Sequence, residues 1–416
     1  MGGAHTLSLL LVSGLAFSLA TYPTQTYHGH QLWRVKGEVD ALGAIEGVVG
    51  VDMWGHGRGW VDVQVPPAHT HTLASHLSRH ALTHTVLMDD IQRVMELERH
   101  VLKALPTQRK DQKIVTNTYH PLEEIEAYLQ ELAASVSWVS VESIGKTFEG
   151  RDMWVATLVA PGGTSPKPSV WIDCGIHARE WITPATCVYG LDLLTENYGT
   201  DPDVTAFLDK YNVYVLPVHN PDGYYYTWSD DRLWRKNRMQ HPGDTCHGVD
   251  LNRNFDDGHW GGAGTSDNSC GGTYCGPTGF SELETQAVRD YTNQLYSNNN
   301  LTAYFTIHSY GQMWMYAYGW GAEDTPHEQE LFRVSETGVT ALRSVHDTVY
   351  TYGSIYETIY PASGTSIDWS YSRGVVHTYT LELRDEGQNG FLLPADQIIA
   401  TAEETWTGLM AAIMDI

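Results

Sequence analysis

The sequence predicts an α/β fold: a three-layer domain with a mixed twisted sheet and helices on both faces, preceded by a small ferredoxin-like α+β module. Three observations carry this expectation. The chain has 416 residues, 42% of them hydrophobic, which is enough to bury a sizeable core in more than one domain. Residues 22–105 read as strands and helices in the order β-α-β-β-α-β. From residue 114 onward, short apolar strands alternate with helices, the pattern of a sheet covered on both sides.

Residues 1–20 read as a signal peptide. Their apolar stretch, 7–17, is too short to span a bilayer, and Ser18-Leu19-Ala20 is a small-residue cleavage site. No Lys or Arg precedes the stretch, and a buried N-terminal helix is the alternative. Residues 31–36 read as a strand, followed by a short helix near 38–46 and a strand near 48–54. Val61, Val63 and Val65 alternate with Asp62 and Gln64, the period of two expected of a half-buried strand. Residues 68–81 read as a helix and 83–88 as a strand. Residues 89–105 carry Ile91, Val94, Met95, Leu97, Val101, Leu102 and Leu105 in the spacing of an amphipathic helix. Residues 106–113 start with a proline and hold Arg109, Lys110 and Lys113. They read as an exposed linker, either a plain interdomain loop or a site for a trypsin-like protease.

In 114–416, residues 122–132 and 181–194 read as helices. Residues 153–160, 169–176, 213–218, 303–308 and 379–383 read as strands. The chain ends in a helix with Pro394 in its first turn and Ile398, Ile399, Ala402, Trp406, Leu409, Met410 and Ile413 on one face.

Composition narrows the function classes. Lys+Arg number 25 and Asp+Glu 50, a formal charge of −25, so neither nucleic acid nor an anionic membrane is an expected partner. Residues 22–113 carry ten basic and ten acidic side chains, so the whole excess lies in 114–416. Nine of the 20 histidines fall in the neutral part, where they read as solvated rather than metal-bound. No segment past residue 20 is apolar enough to cross a membrane, and a soluble, exported protein is expected. The five cysteines form no CxxC pair, which argues against a zinc knuckle; in an oxidising compartment they allow two disulfides and one odd thiol. Asn300-Leu301-Thr302 is a candidate glycan acceptor on a polar tract.

The chemistry concentrates at strand ends. The apolar run 170–176 is followed at once by His177-Ala178-Arg179-Glu180. A histidine and a carboxylate three apart at such a point suit two ligands of one zinc, although HxxE alone is a weak signal. His308 ends another apolar strand beside Ser309-Tyr310-Gly311 and is a candidate third ligand; two unrelated capping histidines are the alternative. Glu382 lies in an otherwise apolar strand, where an unpartnered carboxylate is costly. A general base next to metal-bound water would explain it, and so would an ion pair with Arg384.

Further motifs follow in order: Asp173-Cys174-Gly175-Ile176 ahead of His177, Asn220-Pro221-Asp222-Gly223-Tyr224, Arg232-Leu233-Trp234-Arg235-Lys236, Gly248-Val249-Asp250-Leu251-Asn252-Arg253-Asn254, Thr358-Ile359-Tyr360 and Ser366-Ile367-Asp368-Trp369. With these, the chain from about residue 28 to its C-terminus resembles the pancreatic-type zinc metallocarboxypeptidases, propeptide included. His₂Glu is the known ligand set of carboxypeptidase A, so it comes from the resemblance and not from spacing. The resemblance implies one zinc held by His177, Glu180 and His308, with Glu382 as general base and acid. Arg235 would hold the oxyanion, and Asn252, Arg253 and Tyr360 the terminal carboxylate of a peptide. Arg179, Arg232 and Tyr310 would contact substrate further out.

The resemblance also implies a specificity. The residue that separates the family's types corresponds to Ile367, and Met315, Gly319, Ile355, Ile359 and Thr380 lie at or near the same pocket. None is charged, so an apolar or aromatic C-terminal residue is expected, as in A-type enzymes. Cys246 and Cys270 match one family disulfide; Cys174 and Cys187 match a second, more typical of B-type members. Cys275 matches half of a third, whose partner is absent around Trp260. The expected whole is a secreted, extracellular and monomeric zymogen, with the digestive lumen as one setting. It comprises a signal peptide (1–20), an inhibitory propeptide (21–105), an activation linker (106–113) cut by a trypsin-like protease, and a catalytic domain (114–416). The alternatives are a B-type or regulatory carboxypeptidase and an inactive peptide-binding homologue. Acidification would charge the propeptide histidines and tighten their hold on the acidic domain.

Overall fold

The computed structural model describes residues 24–37, 45, 51–104 and 114–416. The expected signal peptide, nearly all of the helix expected near 38–46, and the expected linker with its basic residues lie outside the described residues. In the first module, β1 (Gln31–Lys36), β2 (Asp52–Gly57), β3 (Trp60–Val65) and β4 (Thr83–Met88) form an antiparallel sheet in the order β2-β3-β1-β4. The second strand runs past its expected end at 54, because Gly57 pairs with Trp60 across a tight turn. Helix α1 (Thr70–Arg79) closes one face of the sheet, with Leu73 and Leu77 against Trp33, Val35, Val61, Val63 and Val65.

The other face of the sheet is buried as well. Asp62 and Gln64 are as buried as the valines beside them. Asp62 accepts two bonds from Arg34, at 2.8 and 2.7 Å, and one from Tyr310 of the large domain at 2.9 Å. Alternation marks two chemically different faces; it does not distinguish a face in water from one that docks through polar contacts. Helix α2 (Ile91–Ala104) buries Ile91 and Met95, whereas Leu97 and Val101 of the expected apolar stripe stay exposed.

The large domain holds an eight-stranded sheet in the order β11-β10-β12-β9-β7-β8-β6-β5. Its strands are β5 (Val139–Lys146), β6 (Asp152–Leu158), β7 (Ser169–Cys174), β8 (Asn212–Leu216), β9 (Leu301–Ser309), β10 (Met313–Tyr316), β11 (Thr351–Ser354) and β12 (His377–Leu383). The central β8, β7, β9 and β12 are parallel, and β6 and β10 join them antiparallel, so the sheet is mixed. Both faces are covered. Val170, Ile172 and Cys174 point into a core with the helices Leu122–Ser135, Ile182–Asn197, Glu328–His346 and Ile398–Met414. Trp171, Tyr214 and Tyr304 point the other way, toward Leu283–Asn299 and Ser366–Ser372. Apolar residues at consecutive positions are what a doubly covered parallel strand requires. The final helix starts four residues after Pro394, which instead precedes a 3₁₀ turn at Ala395–Gln397.

One buried acidic pair has a consequence for stability. Asn237 Nδ2 donates to Glu282 at 2.7 Å and to Glu284 at 3.1 Å. Burial, with the charge of Glu282 added, pushes the Glu284 carboxyl up to about 8. The folded state therefore keeps a proton that the unfolded chain releases near 4.5, so stability falls as pH rises between these values. Glu284→Gln should match the parent near pH 5 and be more stable above pH 8, by up to a few kcal/mol. Urea unfolding midpoints at the two pH values check this; equal midpoints at high pH would overturn the protonated state.

Candidate active site

The site forms where the parallel strands end, the usual place for a ligand in such a sheet. After β7 the chain turns at Gly175, whose φ of +70° suits glycine and whose Cβ would sit 3.0 Å from Pro184. This turn brings His177 and Glu180 over the end of β9. A Cys174–Cys187 disulfide ties the end of β7 to the helix that follows Glu180. The strand register does the rest: Glu382 of β12 lies directly opposite His308 of β9 and Met313 of β10. Thr380, two residues back on the same face, pairs with Met315.

His177, Glu180 and His308 are buried together, with one potential ligand atom from each lying within 4.8 Å of the others. His177 Nδ1 and His308 Nδ1 face each other at 3.1 Å, and Glu180 reaches them at 2.7 and 3.2 Å. Ring nitrogens so placed present lone pairs to a common point. Two imidazoles and one carboxylate are the donor set of a zinc ion that keeps one position for solvent or substrate. The residues present therefore fit zinc. His177 Nε2 lies 3.1 Å from Asp250 Oδ1, the outer contact that fixes ring orientation. Burial works to raise the Asp250 carboxyl, but the charges of Arg235 and His177 prevail and hold it well below its usual range. The sequence reading gave Asp250 no role; an acid flanked by the apolar Val249 and Leu251 was the available signal.

The cavity at this point is lined by the three candidate ligands with Arg235, Asn252, Arg253, Tyr310, Tyr360 and Glu382. Arg235 is anchored on Asp250 at 2.8 Å, and Arg253 Nη2 donates to the Tyr360 hydroxyl at 2.8 Å. Glu382 Oε2 is buried, with no hydrogen-bond partner among the described residues. Burial, and then the negative charge of Glu180, pushes its carboxyl well above the ordinary range. The alternative partner for it is taken, since Arg384 pairs with Glu404. Met313, Met315, Ile355, Ile359, Ala362 and Thr380 form the apolar side of the cavity. Ile367 is buried in the same apolar cluster as Met315, Ile355 and Ala362 of that wall. Cys246 and Cys270 are joined, and Cys275 is a buried free thiol.

The remaining predicted residues meet the first module instead. Arg179 donates to Asp52 at 2.5 Å and to Met53 O at 3.0 Å; Arg232 forks onto Glu98 at 2.8 and 2.9 Å. Trp54, Gly55 and His56 of β2 enter the cavity. A Cβ at Gly55 would come within 2.9 Å of the Tyr310 ring, so only glycine lets the strand pass. His56 lies against Tyr360, with ring centroids 4.4 Å apart. Burial and the charges of Arg235 and Arg253 push its imidazole down to about 3. This histidine opposes the expected tightening in acid, because the groups it faces are cations.

Fold and donor set together define a zinc hydrolase of the α/β class. Comparison with known proteins is more specific. The zinc carboxypeptidase family matches residues 125–408, and the carboxypeptidase activation peptide matches 34–98. Carboxypeptidase A1 of Bos taurus is 39% identical over 99% of this chain and 97% of its own length. Carboxypeptidase B of Homo sapiens is 38% identical over 97% of each. The crystal structure of carboxypeptidase A from Helicoverpa armigera superposes with a TM-score of 0.83 at 30% identity, covering 94% of this chain and 98% of that one. The chain belongs to the zinc carboxypeptidase family and carries its activation peptide. It is a zinc metallocarboxypeptidase in zymogen form.

The outer contact is open to test. Asp250→Ala should weaken zinc binding by about 10–100-fold, measured by competition with a chelator. Unchanged affinity would show that His177 is oriented by other means.

Proposed function

We propose that this chain is a secreted, monomeric zymogen whose catalytic domain, 114–416, removes single apolar or aromatic residues from the C-termini of peptides. The observation that carries the reading is Glu382, with a buried oxygen unpartnered among the described residues, in the same cavity as three zinc donors and an arginine fork. His177, Glu180 and His308 would hold the ion. Bound there, zinc supplies a Lewis acid that polarises the scissile carbonyl and acidifies a water. Glu382 Oε2 takes the proton of the attacking water and passes it to the leaving amine nitrogen as the C–N bond breaks, typically worth about 10²–10⁴-fold. Arg235 donates to the developing oxyanion, worth roughly 2.7–4 kcal/mol. Arg253, with Asn252 and Tyr360, binds both oxygens of the terminal carboxylate, which an internal peptide bond lacks. That requirement restricts cleavage to the chain end.

The apolar wall supports the preference. Asp368, next to Ile367, is turned away: it accepts from the Gly319 and Trp320 amides at 3.0 and 3.2 Å. A Lys or Arg head group in the pocket would be left without a counter-charge. The Cys174–Cys187 bridge favours the B-type reading, and substrate choice separates the two. Arg179, Arg232 and Tyr310 serve outer subsites once the activation peptide, 21–105, has left. A trypsin-like protease cutting the 106–113 linker after Arg109, Lys110 or Lys113 releases it.

After such activation, blocked dipeptides ending in Phe or Leu should be cleaved in preference to one ending in Arg. Glu382→Gln should retain one zinc and lose turnover. Near-normal activity in that variant would remove the base assigned here, and preference for Arg would make the enzyme B-type.

The His56 environment sets a second expectation. A group bound at about 3 and free near 6.5 binds better deprotonated, so affinity falls as pH drops through 6.5. Inhibition of the mature enzyme by its activation peptide should weaken by about tenfold between pH 7.5 and 5.5. His56→Gln should flatten that slope; an unchanged slope would place the proton elsewhere.

A further inference from the structure

We propose that Asn300 is a modification site that carries an N-linked oligosaccharide, at the end of the large sheet opposite the active site. Asn300-Leu301-Thr302 is the one Asn-X-Ser/Thr sequon among the 416 residues, and its middle residue is not proline. Asn300 is exposed. It caps the helix Leu283–Asn299 in the left-handed conformation, with φ 51° and ψ 63°, so the chain reverses sharply as it leaves the helix. The strand that follows starts irregularly. Leu301 pairs with Ser169 and Ala303 with Val170, which leaves Thr302 as the extra residue of a β-bulge. Its hydroxyl donates to Asn300 O at 3.1 Å, so the acceptor and the hydroxyl residue share one exposed turn.

Asparagine tolerates a left-handed cap, but glycine fills it at less cost, and the cap alone asks for nothing at position 302. The place also has room. Asn300 immediately precedes β9 and His308 lies near its end, so the two stand about 26 Å apart along an extended strand. A glycan there clears the cleft and the contacts that Arg179 and Tyr310 make with the activation peptide. Modification requires the secretion proposed above, because the donor, a lipid diphosphate-linked oligosaccharide, is met only in the secretory pathway. Nδ2 of Asn300 forms a bond to the anomeric carbon of the first sugar and gives up one proton. The bond from that carbon to the diphosphate oxygen breaks, and the lipid diphosphate leaves. The bulky polar product adds solubility at this end of the domain.

The test uses the full-length chain expressed in cultured animal cells, once with its own residues 1–20 and once with the leader of another secreted protein in their place. Protein from cells and medium is treated with peptide-N-glycosidase. In both arms the enzyme should lower the apparent mass by one glycan, and peptide mapping should find Asn300 converted to aspartate. Asn300→Gly, which keeps the left-handed cap, and Thr302→Ala should each abolish the shift, with activity after tryptic activation unchanged. Asn298→Gln should leave the shift intact. Glycan with the substituted leader alone would overturn the secretion and, with it, the modification. No glycan in either arm would overturn the site itself. So would a shift that survives Asn300→Gly or Thr302→Ala, a shift lost with Asn298→Gln, or activity that falls together with the glycan.

Discussion

Every functional feature of this molecule depends on keeping ionisable groups buried where three parallel strands end. Each unpaired charge removed from water costs several kcal/mol, so such a cluster persists only if its members answer one another. They do: Glu180 sits between two imidazoles, Asp250 holds both His177 and Arg235, and Arg253 is bonded to Tyr360. Glu382 Oε2 has no hydrogen-bond partner among the described residues, as befits a group reserved for a reaction. The strand register, with Glu382 opposite His308, makes that position rigid. The disulfide behind β7 and the glycine turn after it set the other half of the cluster.

The zymogen exploits the same electrostatics. The catalytic part carries the whole net charge of −25, yet its cleft presents arginines. The activation peptide, neutral overall, offers carboxylates there: Asp52 to Arg179 and Glu98 to Arg232. Asp62, paired with its own Arg34, takes the hydroxyl of Tyr310. Local complementarity is thus the reverse of the global charge difference. A net-charge argument would predict that a more cationic activation peptide binds better, and it fails at His56, which faces Arg235 and Arg253. Buried contacts decide the matter because they are poorly screened, whereas the diffuse surface charge is screened within about 8–10 Å at ordinary salt.

Much of the fold was legible because its signals are local. Gln31–Lys36 and Thr83–Met88 match the expected strands residue for residue, and the central strands of the large sheet were visible as apolar runs. The short strands β10 and β11 were not, since four residues carry little periodicity. The pairing of Arg384 with Glu404 and the bridging of His177 and Arg235 by Asp250 were also out of reach. Both depend on which elements pack together, and neighbouring residues in the chain do not record that.

By itself the sequence determined the inventory: a histidine and a glutamate at the end of one apolar strand, a histidine at the end of another, a glutamate inside a third, and an arginine fork in a motif order that resembles one family. It could do so because a polar group in an apolar strand is expensive and stands out. Tertiary structure decided how these groups are used. It set which imidazole nitrogens converge, which carboxylate oxygen meets no partner among the described residues, and which arginines the activation peptide occupies. Those outcomes rest on strand register and helix phase, which long-range packing fixes and no local pattern encodes.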